Sequence, residues 1–275
     1  MIDPTPRVLL ILGMHRSGTS VVTQWLHRCG LHVGENLIGH SIGNEQGHYE
    51  DRDFHDFHED VFRSNRIPYG GFKGLSQVAL NTRQQARLAL LIKDKNRAHA
   101  RWGWKDPRTC LFLEAYDDVL DSPSYLIVYR KASEVVDSLL RRYEDMLVRG
   151  YHRSRIMDHL TLRMKATMPW AFSTRKLERD FTTSWLRYNE HLLRLTDRAE
   201  TNRFKVVQSS GLLNSSQQIV PWLNERGFEL DEVPFDEVYQ AGLLTSQGAG
   251  FAIPVDLLER VNEVERRLSE LERQG

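Results

Sequence analysis

The chain is 275 residues long, 40% hydrophobic and 27% charged, with 37 basic and 37 acidic side chains and a formal charge of zero. That composition excludes a disordered or membrane-embedded chain, and the even balance of charge argues against a protein that works by covering nucleic-acid phosphates. The only cysteines, Cys29 and Cys110, exclude a disulfide scaffold and point to a reducing, cytoplasmic compartment.

Residues 8–12 (VLLIL) form a continuous apolar run, as expected for a strand buried on both faces of a parallel sheet. The run is too short to span a bilayer and carries no basic leader, so no transmembrane or secretory segment is expected. It leads into Gly13-Met-His-Arg-Ser-Gly18-Thr-Ser20 and then a helical pattern ending near Cys29-Gly30. Residues 34–50, rich in Gly, Asn and His, read as an irregular active loop. Helices are predicted over 51–65 and 81–101, the second capped by Asn81 or Thr82. Residues 101–105 read as a short strand, followed by Asp106-Pro107 and a helix to 120. Residues 125–129 (YLIVY) are a second buried-strand candidate, with a helix over 133–148. Helices over 179–199 and 215–226 flank a strand at 204–208. Residues 254–273 form an amphipathic C-terminal helix.

Strands alternating with helices predict an α/β fold: a three-layer, P-loop-type parallel sheet flanked by helices, in one domain covering 1–275. The stretch 141–181, rich in arginine and methionine, reads as a helical lid inserted into it or as an ordinary solvated helix pair. In the C-terminal helix, Leu257, Val261, Val264, Leu268 and Leu271 follow 4-3-4-3 spacing. Such a seam either packs back on the domain or makes a homodimer.

A strand, a glycine-bearing turn and a helix make an anion site, because backbone N–H groups and the helix dipole converge on the ligand. Gly13-x4-Gly18-Thr19-Ser20 has the glycine spacing of a nucleotide-binding loop, but Thr19 stands where an NTPase keeps its lysine. The loop's cation is instead Arg16. His55 and His58, with Asp56, Glu59 and Asp60, share a charged helix segment; this is read as a solvated face, and no metal is expected.

His15-Arg16-Ser17-Gly18-Thr19-Ser20 resembles the 5′-phosphosulfate loop of sulfotransferases that use 3′-phosphoadenosine 5′-phosphosulfate (PAPS), which carry [PR]-[KR]-S-G-T-[TS] there. Arg130 at a strand end and Ser138 eight residues on match the family's 3′-phosphate motif, and Arg142 matches a further phosphate contact of the tyrosylprotein branch. Trp104-Lys105-Asp106-Pro107-Arg108 resembles that branch's Lys-Asp-Pro segment, where the lysine steadies the leaving phosphate. The resemblance implies a PAPS-dependent sulfotransferase with PAP as product. Arg16, Ser17, Gly18, Thr19, Ser20, Arg130, Ser138 and Arg142 would hold the donor, and Arg16 and Lys105 would stabilise the leaving group. No metal is needed. The acceptor is a hydroxyl-bearing small molecule, glycan or lipid, and the sequence does not say which. A carboxylate would serve as general base. Glu35, in a segment resembling the family's Gly-Glu-Glu, and Glu50, in Gly-His-Tyr-Glu, are the leading candidates, with His48 and Asp106 behind them. A kinase with a degenerate phosphate loop, or a nucleotide-binding protein without turnover, are the competing readings.

Overall fold

The computed structural model describes residues 5–39, 49–67, 78–153, 170–239 and 252–275. Among the described residues four strands, β1 (Arg7–Leu12), β2 (Arg101–Lys105), β3 (Ser124–Tyr129) and β4 (Phe204–Gln208), form one sheet in the order β2-β1-β3-β4. Every pairing is parallel. Along β1, Val8, Leu10 and Leu12 enter one apolar layer and Leu9 and Ile11 the other. An uninterrupted apolar run is required because a strand's side chains alternate between faces and both faces are covered.

The helices fill the two outer layers. On the face of Leu9 and Ile11 lie α1 (Thr19–Arg28) and α7 (Leu212–Asn224). On the face of Leu10 lie α2 (Arg52–Ser64), α3 (Thr82–Ala98), the short α4 (Leu113–Asp117), α5 (Ala132–Arg153), α6 (Trp170–Arg198) and α8 (Val255–Gln274). Asn81 caps α3 in a reciprocal box with Gln84, the arrangement that satisfies two otherwise unpaired N–H groups.

Several boundaries differ from the periodicity. The predicted helix from Asp106 to 120 breaks into a 3-10 turn at Pro107–Leu111 and α4, because Phe112 leaves helical space at φ −146° and ψ 41°. Helix α5 runs on to Arg153 and α6 begins at Trp170, so of the predicted lid 141–181, residues 154–169 lie outside the described residues. Val261, Val264 and Leu268 of α8 are buried in the chain's own core. The seam of the C-terminal helix is therefore used within the domain. No helix among the described residues is long and apolar enough to cross a membrane.

In a parallel α/β sheet, ligands bind outside the carboxyl ends of the strands, where the strand order reverses. Here β1 sits between β2 and β3. Gly13, Lys105 and Arg130 leave three neighbouring strands at that end.

Candidate active site

The turn after β1 is built to leave amides open. Gly18 precedes α1 at φ 88°, no side chain caps the helix, and its first turn has no acidic residue. The start of the helix thus turns its N–H groups and the positive end of its dipole toward an anion with no side-chain cap or acid in the way. Gly13 is held against β3: a Cβ there would lie 2.3 Å from the Val128 carbonyl oxygen and 2.8 Å from Thr19 Cγ2. Arg16 adopts φ 70°, a left-handed conformation that non-glycine residues seldom take. Such strain persists where the surroundings over-determine it.

Arg16 meets the end of β3. Its Nε donates to Ser138 Oγ at 2.9 Å, and Arg130 Nη1 donates to the Arg16 carbonyl at 3.3 Å. Arg130 is 3% exposed, and its Nε reaches Glu134 at 3.3 Å. Trp185 Nε1 fixes the Arg130 backbone through its carbonyl at 2.9 Å. Arg142, one turn beyond Ser138 on α5, joins the same field. Burial, then the guanidiniums of Arg142, Arg130 and Arg141, pull Arg16 down to about 10.

Lys105, at the end of β2, closes the third side. Its Nζ lies 3.2 Å from Ser20 Oγ and 2.8 Å from Glu50 Oε1, and its side chain is 1% exposed. Trp104, beside it in β2, stacks on Phe54 of α2 with centroids 4.3 Å apart. The tryptophans of the Trp-Gly-Trp-Lys run thus lock α2 onto the sheet. Glu50 is held by a two-stranded ribbon. Leu37 bridges Asp51, Ile38 N donates to the Glu50 carbonyl, and Arg52 N donates to the Asn36 carbonyl. Asp51, the next residue, caps α2 and accepts from Lys95 Nζ at 2.7 Å.

The expected donor residues Arg16, Ser17, Gly18, Thr19, Ser20, Arg130, Ser138 and Arg142 therefore lie around one cradle, with Lys105 and Glu50 beside it. Glu35 does not join them. It is 69% exposed and sits 3.3 Å from His99 Nε2. His48 lies outside the described residues. Asp106 is committed elsewhere: Arg108 Nη2 reaches its Oδ2 at 2.6 Å and His58 Nδ1 lies 2.8 Å from the same oxygen. Burial alone would raise this carboxyl, but Arg108 and His58 hold it well below the ordinary carboxylate range. His58 is fully buried and its Nε2 lies 2.6 Å from Tyr116 Oη, whereas His55 pairs with Asp56 and Glu59. The two histidines of α2 thus face different surroundings, and the helix is not the uniformly solvated face the charge pattern predicts.

One residue inside the motif acquires a role that the sequence did not signal. The His15 ring packs edge-on against Tyr188, with centroids 6.1 Å apart, and its Nε2 is shielded from solvent. Burial outweighs the nearby carboxylates of Glu50 and Asp106 and brings His15 down from 6.5 to about 4. The ring is neutral at pH 7. The unfolded chain takes up this proton near pH 6.5 and the folded chain only near 4, so stability falls as pH drops through that interval. By pH 5 this one residue is expected to cost about 2 kcal/mol relative to pH 7. Urea unfolding of wild type and His15→Gln at both pH values checks it: the variant should lose less on acidification, and an equal loss rejects the assignment.

No family model matches the sequence, and neither does any curated protein. The backbone does match solved structures. The sulfotransferase domain of the Synechococcus PCC 7002 olefin synthase aligns over 96% of this chain and 97% of its own, with a TM-score of 0.53 at 15% identity. This chain has the sulfotransferase fold. The sulfotransferase domain of the curacin biosynthetic pathway aligns over 96% of this chain and 98% of its own, with a TM-score of 0.50 at 13% identity. Sulfotransferase STF9 from Mycobacterium avium covers 99% of this chain and 78% of its own, with a TM-score of 0.51 at 13% identity. In this sulfotransferase fold the cradle described above lies at the carboxyl ends of β1, β2 and β3.

Proposed function

We propose that this chain is a cytoplasmic sulfotransferase that moves a sulfuryl group from PAPS to the hydroxyl of a small molecule, glycan or lipid, with PAP as product. The observation that carries the reading is the meeting of Arg16, Arg130 and Ser138 at the open start of α1, with the Lys105–Glu50 pair alongside. The charge supports a polyanion: burial first, and then the guanidiniums of Arg142, Arg130 and Arg141, hold Arg16 below its ordinary value, and an anionic ligand relieves that repulsion. The kinase loop's ammonium is replaced by Thr19, and the ammonium that approaches Ser20 comes from β2 already paired with a carboxylate. The buried free thiols of Cys29 and Cys110 agree with a reducing compartment.

PAPS, when bound, supplies the sulfuryl group and a nucleotide leaving group. The protein's part is positioning and charge, as in phosphoryl transfer. The amides of α1, with Ser17, Thr19, Ser20 and Arg16, hold the 5′ end. Arg130, Ser138 and Arg142 hold the 3′-phosphate through charge-assisted hydrogen bonds. Glu50 accepts the proton of the attacking hydroxyl. Once Glu50 is protonated, Lys105 loses its charged partner, and its full charge is left for the bridging oxygen of the leaving group.

Thermal shift with PAP, AMP, ADP and ATP tests the reading. Ligand at 100 times its Kd stabilises a fold by about 2.7 kcal/mol, so at equal concentration PAP should shift Tm more than the other three without Mg²⁺. PAP no better than AMP overturns the 3′-phosphate site. A larger, Mg²⁺-dependent shift with ATP transfers the case to a kinase. Transfer from labelled PAPS to a panel of hydroxyl acceptors then identifies the acceptor class.

A further inference from the structure

Away from the cradle, a second group of side chains converges. His32, just after α1, bridges Trp102 of β2 in parallel, and its carbonyl accepts from Gly103 N at 2.9 Å. His99 ends α3 with extended φ −134° and ψ 125°. Their imidazoles stack, with centroids 3.6 Å apart and 20° between planes, and Glu35 Oε1 lies 3.3 Å from His99 Nε2. One ligand atom from each of the three residues lies within 4.8 Å of the other two.

The environment suits a metal better than a hydrogen-bond network. The Nε2 atoms of both rings are shielded from solvent; that of His32 makes no hydrogen bond among the described residues, and that of His99 faces only the Glu35 carboxylate. Buried ring nitrogens without partners are costly and are rarely left so. The nearby cation, Lys95, is already matched by Asp51 at 2.7 Å and Asp53 at 2.9 Å. Two imidazoles and a carboxylate are a borderline-soft donor set, suited to Zn²⁺ and unsuited to Mg²⁺. Tetrahedral Zn²⁺ with bonds of about 2.0–2.2 Å holds its ligand atoms about 3.3 Å apart, the separation already seen between His99 and Glu35.

We infer that His32, Glu35 and His99 form a Zn²⁺ site that fastens the segment after α1 to the end of α3, with water completing the coordination. Zn²⁺ binding tilts the stacked rings so that both lone pairs point at the ion. The site lies near the start of β2, beside Trp102, whereas Lys105 ends that strand; Zn²⁺ here stays out of the transfer reaction. Its reach is through the backbone. Asn36, next to Glu35, begins the ribbon that carries Glu50, so the metal fixes the root of that ribbon.

The test uses the full, tag-free chain stripped of metal. Zn²⁺, Co²⁺ and Mg²⁺ are titrated separately, bound metal is measured after gel filtration, and the Co²⁺ d–d spectrum is recorded. One retained equivalent of Zn²⁺ is expected, with Tm rising by about 5–10 °C at 100 times Kd, no rise with Mg²⁺, and a tetrahedral Co²⁺ spectrum. His32→Ala and His99→Ala should each lose the retained equivalent, and Glu35→Gln should weaken it by about tenfold or more. Zn²⁺ retained equally by the three variants places the metal on other histidines and overturns the site, as does a wild-type chain that retains none. If His32→Ala fails to fold, wild-type Co²⁺ absorption decides, since a spectrum without a tetrahedral band rejects the site. The PAP shift measured on the same sample keeps this outcome separate from that of the proposed sulfotransferase reaction.

Discussion

Glu50→Gln is expected to lower sulfuryl transfer by about 10²–10⁴-fold, the usual contribution of a positioned general base, while PAP binds as well as to wild type or better. The second half of that result follows from Lys105. In the free protein its buried ammonium is neutralised by Glu50 at 2.8 Å, and a bound anion competes with that carboxylate. Glutamine keeps an acceptor near Lys105 but removes the competing charge. A buried lysine without a charged partner is costly, so the variant should lose stability when empty and recover part of it with PAP. Steady-state turnover and PAP titration on one preparation check both halves. Glu35→Gln is the comparison. A greater loss of turnover there than in Glu50→Gln would move the base to Glu35 and contradict the geometry, which pairs Glu35 with His99.

The parts of the fold legible in the sequence are those in which one short segment carries its own reason. The apolar run of β1 can only be buried on two faces, and β3 is readable in the same way. Gly13 and Gly18 sit where a β3 carbonyl crowds the backbone and where φ is positive, so their spacing marked the anion turn. Ser138 and Arg142, eight and twelve residues after Arg130, stand two and three helical turns along one face. What could not be read is pairing across sequence distance. Nothing local distinguishes Glu35 from Glu50, since both follow glycine-rich stretches. Glu50 is singled out because β2 delivers Lys105 to it, across 55 residues. His58 reads in the sequence as one of a charged helical pair, whereas Asp106 and Tyr116 lie on either side of it. His32 and His99 lie in different elements and meet only because the segment after α1 runs alongside β2. Phe112 broke a predicted helix by a backbone choice that hydrophobic spacing does not encode.

Arg130→Ala should erase the preference for PAP over AMP. Arg130 is 3% exposed, and removing one side of a buried charge-assisted contact typically costs 2–5 kcal/mol or more, about 30-fold to several thousand-fold in affinity. AMP has no 3′-phosphate, so its binding should change far less. The ratio of the two dissociation constants therefore isolates Arg130 from any general loosening of the site. Such loosening is expected, because Arg130 also pairs with Glu134 and donates to the Arg16 carbonyl. Alanine leaves Glu134, 24% exposed, with no cation at that position. Adding Glu134→Gln should recover Tm without restoring PAP discrimination, which separates the structural role from the recognition role. Arg130→Lys keeps the charge but not the planar fork that matches a phosphate, so its PAP-to-AMP ratio should fall between wild type and alanine. A ratio unchanged in Arg130→Ala would place the 3′-phosphate elsewhere and leave the convergence of Arg16, Arg130 and Ser138 as a purely structural contact between β1 and β3.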